Sequence, residues 1–386
     1  MPATTDRPAD GVHALPPRDA WSDSARKRRD TYALTPDAPL LHIEFGFMEG
    51  TKQRWRQEGM TDESVFGFEP AGDLSLGGLG WCEAAFLPAF EETVLEDRGD
   101  YELVRDFAGR AVLCFKDRRQ GFMPEYVDHP VKDMRTWEQD VKWRLAPDAN
   151  GRFDGFEDHM ARAREAAGRG EMIVANMIGG YMYLRSLIGP EELLYTFIDQ
   201  PDLIHDCMKA WFELADAVTA KHQQHVTIDE LFLAEDIAYN NGALISPDMM
   251  RRFLFPYYQQ LIENIRARQL DPDRHLFVQI DTDGNVNDVI DVYREIGMNA
   301  MSPFEVASGC DVVEIGRRYP GLVMKGGIDK RVLAQGKPAI DEMVERIIPA
   351  MRKRGGYIPC CDHMVPNEVP FDDYRHYRRR CLELGG

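Results

Sequence analysis

Several features that would settle a function early are missing from this 386-residue chain. Its seven cysteines, Cys82, Cys114, Cys207, Cys310, Cys360, Cys361 and Cys381, are odd in number and scattered. No two form a CxxC pair, so neither a disulfide framework nor a zinc ribbon is indicated. Basic residues are in deficit, 46 against 65 acidic ones, for a formal net charge of -19. A surface that grips nucleic acid through its phosphates needs the opposite balance. The longest apolar runs fall short of a membrane span and the N-terminus has no apolar signal core, so the chain reads as cytoplasmic. No GxGxxG follows any candidate strand, which counts against a dinucleotide-binding doubly wound sheet. No internal repeat or low-complexity tract stands out.

What is present is the composition of a globular protein, 44% hydrophobic, at a length that suits one large α/β domain. The organising stretch is residues 275–285, HLFVQIDTDGN. Leu276, Phe277, Val278 and Ile280 form an apolar run long enough for a buried strand and too short for a helix. The run stops in Asp281, Thr282, Asp283, Gly284 and Asn285, and residues 286–296 then take helical spacing. A helix cap explains one aspartate, not two. Gly284 stands at the fourth position rather than the sixth, which fits an EF-hand loop poorly.

Residues 1–37 read as an N-terminal arm with one short helix over 23–32, suited to packing or to contact with a second copy in a homodimer. Residues 38–386 read as one domain. A first buried strand is expected at 40–45, closing on Glu44, and a β-hairpin excursion at 101–116. Helical character follows over 128–145 and 154–167. From residue 170 onward, strands at 172–175, 231–233, 276–280, 300–301, 322–324 and 357–359 alternate with helices. The helices are expected at 182–188, 190–198, 201–224, 247–268, 286–296, 310–318, 336–353 and 370–382. This alternation predicts parallel β/α units and, with no dinucleotide fingerprint, a single closed (β/α)8 TIM barrel.

The residues that follow each strand share a chemistry. They are Glu44; Asn176; Glu235, Asp236, Asn240 and Asn241; Asp281 and Asp283; Glu305; Lys325 and Asp329; and Asp362 with His363. Any one of them could simply cap a helix or satisfy a loop. A closed barrel would bring them to one rim crowded with carboxylates, with Lys325, Lys330 and His363 as counter-charges. Such crowding indicates a metal, a cationic substrate or a carboxylate kept protonated for acid work. The candidate catalytic groups are Asp236, Glu235, Asp281 and Lys325. The candidate contacts for a small-molecule substrate are Glu44, Asn176, Asn240, Asn241, Glu305 and Asp329. Tyr181 and Tyr183, after Gly179-Gly180, join them as a wall for a flat substrate. His222 and His225 close a long helix, where cations suit the helix dipole. Cys360 and Cys361 point to opposite faces of a strand, so at most one reaches the rim.

The stretches LHIEFGFMEGTKQRWRQEGM, MPEYVDHPVKDMRTWE, EDIAYNNGALISPDMMRRFLFPYY, DTDGNV, MKGGIDKRVLAQG and GGYIPCCDHMVPNEVPFDDY together resemble the uroporphyrinogen decarboxylase superfamily, from about residue 38 onward. The resemblance implies a (β/α)8 barrel with its site at the carboxyl rim. True uroporphyrinogen decarboxylases bind the porphyrinogen carboxylates with an Arg-rich N-terminal motif. IEFGFMEG is acidic in that place, which points away from the porphyrinogen reaction. The other branch comprises methyltransferases serving corrinoid proteins, with zinc held by a His-x-Cys pair and a distant Cys. In this chain Asp281, Asp283 and His363 stand at those positions. Two carboxylates and an imidazole can hold zinc, and equally suit a harder metal or none, while a thiol acceptor becomes less apt. The resemblance thus implies methyl transfer from a methoxylated or methylated compound to a corrinoid, on a partner protein or as free cobalamin, with Zn2+ at the three residues. The alternative is a metal-independent decarboxylase or lyase with Asp281 or Asp236 as acid and base. A binding protein that has lost catalysis would keep such a rim only by chance.

Overall fold

The computed structural model describes residues 14–117 and 124–386. Residues 1–13 of the expected arm, and Met123 at the head of one resembling stretch, lie outside the described residues. Seven strands form one sheet: β1 (Asp73–Ser75), β2 (Met172–Ile178), β3 (Glu230–Ala234), β4 (Phe277–Asp281), β5 (Ala300–Ser302), β6 (Val323–Lys325) and β7 (Tyr357–Ile358). They lie in chain order, each parallel to the next. Helices cover the outside, so the central strands are largely buried on both faces and the outward side of each is apolar.

Alternation along the strands separates an outside from an axis. On β2, Ile173, Ala175 and Met177 join the main core, while Met172 packs with Leu41, Ile43, Ala300, Val323 and Ile358. This smaller cluster draws on β2, β5, β6 and β7, which is possible only if the sheet curls around it. The stretch 40–45 contributes Leu41 and Ile43 but forms no ladder, so seven strands are paired where eight were expected. It touches both edges of the sheet: His42 accepts from Glu69 N at 2.9 Å shortly before β1, and Glu44 accepts from Cys361 N at 2.8 Å just past β7. Its own donors bond elsewhere, Leu40 N to the Gly385 carbonyl and His42 N to the Glu69 carboxylate.

The expected helix over 247–268 is two, Pro247–Phe253 and Phe255–Arg268. Pro256 has no N–H to donate and its ring crowds the carbonyl four residues back, so the helix breaks at Leu254. The helix after β4 shortens to Ile290–Arg294, because the Asn285 side chain accepts from Asn287 N at 3.1 Å and holds a local turn instead. The expected hairpin is the middle of a four-stranded antiparallel sheet, Thr93–Arg98, Tyr101–Arg105, Ala111–Phe115 and Glu125–Asp128. The helix Asp23–Tyr32, capped by Ser22, sets Arg28 against Asp73 and Tyr32 against Gln279, toward the amino-terminal ends of the sheet's strands. Among the described residues no helix is long and apolar enough to cross a membrane.

Candidate active site

Strand β3 runs out in Glu235 and Asp236, whose backbone N–H groups both donate to the Asp281 carbonyl, at 2.8 and 3.2 Å. Adjacent side chains part here. Glu235 turns inward, 0% exposed, and accepts from Tyr258 OH at 2.6 Å, Tyr293 OH at 2.9 Å and Tyr181 N at 3.2 Å. Burial lifts its carboxyl above the usual range against these donors. Asp236 turns outward from a left-handed backbone, φ 49°, which a non-glycine residue adopts at a cost. Arg185 Nη2 donates to its carboxylate at 2.6 Å.

Strand β4 delivers the second pair. Thr282 accepts from Ile237 N at 3.0 Å and Ala238 N at 3.2 Å, tying the two strand ends together. Asp281 accepts from the Ser302 hydroxyl. Burial raises its carboxyl, with Ser302 and the Lys325 charge opposing and Asp236 adding to the rise. Asp283 is pushed up to about 8, first by burial and then by the charges of Asp236, Glu305 and Asp281, with Lys330 opposing. Its side chain is still 42% exposed, so water tempers that rise. Glu305 accepts from Gly284 N at 3.0 Å, and Lys330 lies 3.5 Å from both Glu305 and the buried Asp362. His363 Nε2 stands 3.7 Å from Asp283 Oδ2, with its ring 4.9 Å from that of Phe45. Burial and Lys330 hold the imidazole below its ordinary range. Both shifts run in the direction of a protonated carboxyl facing a neutral imidazole. Four carboxyls, Asp236, Asp281, Asp283 and Glu305, share one mouth with Arg185, Lys325 and Lys330.

Compared with known families, residues 119–382 match the model for uroporphyrinogen decarboxylase (URO-D), which is more than half of the chain. The chain belongs to the uroporphyrinogen decarboxylase family. Among solved structures, a methyltransferase from Methanosarcina mazei aligns over 93% of this chain and 98% of its own, at 15% identity and a TM-score of 0.55. A putative vitamin-B12-independent methionine synthase from Listeria monocytogenes aligns over 60% and 70% of the two chains, at 12% identity and a TM-score of 0.33. Xylanase B from Clostridium stercorarium F9 aligns over 57% and 75%, at 11% identity and the same TM-score of 0.33. No curated protein matches the sequence.

Other expected residues of this URO-D family member divide between mouth and scaffold. Asn176 faces the axis beside Phe232 in the β2–β3 register, and its buried Oδ1 accepts no hydrogen bond. Tyr181 is buried close to Arg185 and Asp236, and burial takes its hydroxyl up to about 12. Asn240 and Asn241 form the tip of a small hairpin, where Asn240 accepts from Ser308 at 2.9 Å and Asn241 is exposed.

Four residues serve the scaffold instead. Glu235 is an anchor, enclosed by tyrosines. Tyr183 donates to the Cys207 carbonyl at 3.2 Å in the outer core. Asp329 is paired with Arg331 at 2.8 Å and lines a separate cavity of about 300 Å3 behind the mouth. Glu44 is half-buried and accepts from Cys361 N at 2.8 Å and Tyr374 OH at 2.7 Å. Glu44→Ala is expected to cost about 3 kcal/mol, because it strands two buried donors; equilibrium urea unfolding measures this, and a loss under 1 kcal/mol (~1) would reassign Glu44 to the mouth.

Of the three residues expected to hold Zn2+, Asp283 and His363 lie together and Asp281 is engaged elsewhere, by Ser302. Among the described residues no three His, Cys, Asp or Glu side chains are grouped to hold a metal ion. Arg185 escaped the sequence reading. A signal was available: it lies four residues after Tyr181, on the same helix face. Trp81, stacked on Phe232 at 5.2 Å and 43% exposed, adds an aromatic rim that only the fold brings into place.

Proposed function

We propose that this chain is a methyltransferase that takes a methyl group from an oxygen or nitrogen of a small neutral or cationic molecule and delivers it to a corrinoid, on a partner protein or free. The observation that carries this reading is Asp283, set against His363 at 3.7 Å in a mouth lined by Asp236, Asp281 and Glu305, where burial and those carboxyls push its own carboxyl up to about 8. When a methyl–oxygen bond breaks, its electron pair stays on the departing oxygen, which then needs a proton. Asp283 is placed to give one. The acceptor corrinoid supplies the electron pair for the new bond to carbon. Asp236, oriented by Arg185, and Asp281, oriented by Ser302, hold the substrate's polar end, while Phe232, Trp81 and Tyr181 supply walls for a flat ring. Family membership and the fold likeness to a methyltransferase agree with this reading. A porphyrinogen bearing many carboxylates would meet the repulsion of the ionised acids at this mouth, which disfavours the decarboxylase of the family name.

The test is incubation of the protein with chemically reduced cobalamin and a panel of methoxylated aromatic compounds and methylated amines. Methylcobalamin absorbance is expected with at least one of them. No methylcobalamin from any compound, together with CO2 release from a carboxylated one, would overturn the proposal in favour of a decarboxylase.

A further inference from the structure

TIM-barrel axes are commonly filled by branched aliphatic side chains. Here the axis below Asp281 is polar. Gln279 lies two residues before Asp281 on the same face of β4, and Ser302 is the register partner of Asp281 on β5. Four hydrogen bonds follow one another from the floor to the mouth. Arg28 Nη2 donates to Tyr32 OH at 3.4 Å, and Tyr32 OH donates to Gln279 Oε1 at 3.2 Å. Gln279 Nε2 donates to Ser302 Oγ at 2.8 Å, and Ser302 Oγ donates to Asp281 Oδ2. All the residues between the two ends are buried.

Every donor in this chain points the same way, from a cation to a carboxylate. A chain so directed polarises along its length, each bond strengthening the next. Its start is fixed: Arg28 is buried and lies 2.6 Å from Asp73 on β1 and 3.6 Å from Glu230 on β3. Glu230 is itself fully buried with neither oxygen accepting a hydrogen bond, and it is the competing acceptor for the Tyr32 proton. Lys325 and Asp236 are the other charges that act on Asp281. Packing alone does not call for this arrangement, since the Tyr32 ring already meets Phe277 edge-on at 4.9 Å.

We propose that the helix Asp23–Tyr32 belongs to the site, with Arg28 and Tyr32 as positioning residues that fix the Asp281 carboxylate through Gln279 and Ser302. The proposal requires only that Asp281 faces the mouth, and it stands or falls apart from methyl transfer.

Fluorine NMR of the full chain, with its 14 tyrosines replaced by 3-fluorotyrosine, tests it without a substrate. Tyr32→Phe identifies the Tyr32 resonance by its disappearance. Ser302→Ala and Asp281→Asn, neither of which touches Tyr32, are each expected to move that resonance by more than its linewidth. Ser302→Thr, which keeps the hydroxyl, is expected to return it toward the parent position. Tyr258, bonded to Glu235 outside the chain, serves as internal control and stays in place in Ser302→Ala. A Tyr32 resonance unmoved in folded Ser302→Ala and Asp281→Asn, or moved equally by Ser302→Thr and Ser302→Ala, would overturn the proposal.

Discussion

Gly179→Ala is expected to cost about 3 kcal/mol or more of folding stability, a large share of the ~5–15 kcal/mol that holds an ordinary domain together. The backbone is not the reason, since φ at Gly179 is -71° and suits any residue. The reason is contact. An added Cβ would lie 1.8 Å from Glu235 Oε2, 2.7 Å from Glu235 Cα and 2.8 Å from the Ala234 carbonyl oxygen. A free side chain could swing away, but Glu235 is pinned by Tyr258, Tyr293 and the Tyr181 N–H. The other two atoms are backbone at the end of β3. Relief therefore requires the helix Gly180–Ile188 to move off β3, which carries Arg185 away from Asp236. Glu235→Ala is expected to cost a similar ~3–5 kcal/mol, by leaving two phenols and an amide without an acceptor. Glu235→Gln keeps one acceptor oxygen and should cost roughly 1 kcal/mol. Urea unfolding with a shared slope ranks the three. A Gly179→Ala midpoint equal to the parent's would show that the anchor is looser than these distances imply.

The neighbouring pair Glu235 and Asp236 shows how far the sequence could be read. The period of the apolar runs located six of the seven paired strands within three residues of their observed ends, because buried parallel strands have no other pattern to follow. Only β1, three residues in a Gly-rich stretch, left no such signature. The same period says that Glu235 and Asp236 point opposite ways, yet not which of them reaches the mouth. That is decided by Tyr258 and Tyr293, far away in the chain. Tyr181 and Tyr183 divide in the same fashion. Glu44 looked like a rim residue because it ends an apolar run, but its partners are Cys361 and Tyr374, more than three hundred residues on. The missing eighth ladder has a similar cause, since nothing near 40–45 announces that Gly385 and Glu69 will take its donors. Acidity at the mouth was legible because it needs only strand-end composition. The pairing of each acid was not, because it needs tertiary neighbours.

Asp283→Asn is expected to lower methyl transfer by roughly 10²–10⁴-fold, the usual contribution of a general acid, while making the folded protein more stable. The two effects have one origin. The Asp283 carboxyl is raised from 3.8 to about 8 by burial and by Asp236, Glu305 and Asp281, so the folded state holds a proton that the unfolded chain releases. Protonation of this group therefore supports the fold fully below about pH 4, and that support is lost progressively as pH rises through about 8. Asparagine never ionises, so the variant's advantage should be absent near pH 4, grow up to about pH 8 and level off above it. Solvent screening reduces the rise and the stability difference together, because the Asp283 side chain is 42% exposed; each tenfold gain in proton affinity that survives it is worth about 1.4 kcal/mol at the alkaline plateau. Parental activity should fall across the same interval as the acid loses its proton. Melting temperatures of parent and variant at pH 4, 6 and 9, read beside the activity profile, check both halves. A variant that is less stable at every pH, or whose advantage does not change with pH, would place Asp283 outside the crowded mouth and remove it as the proton donor.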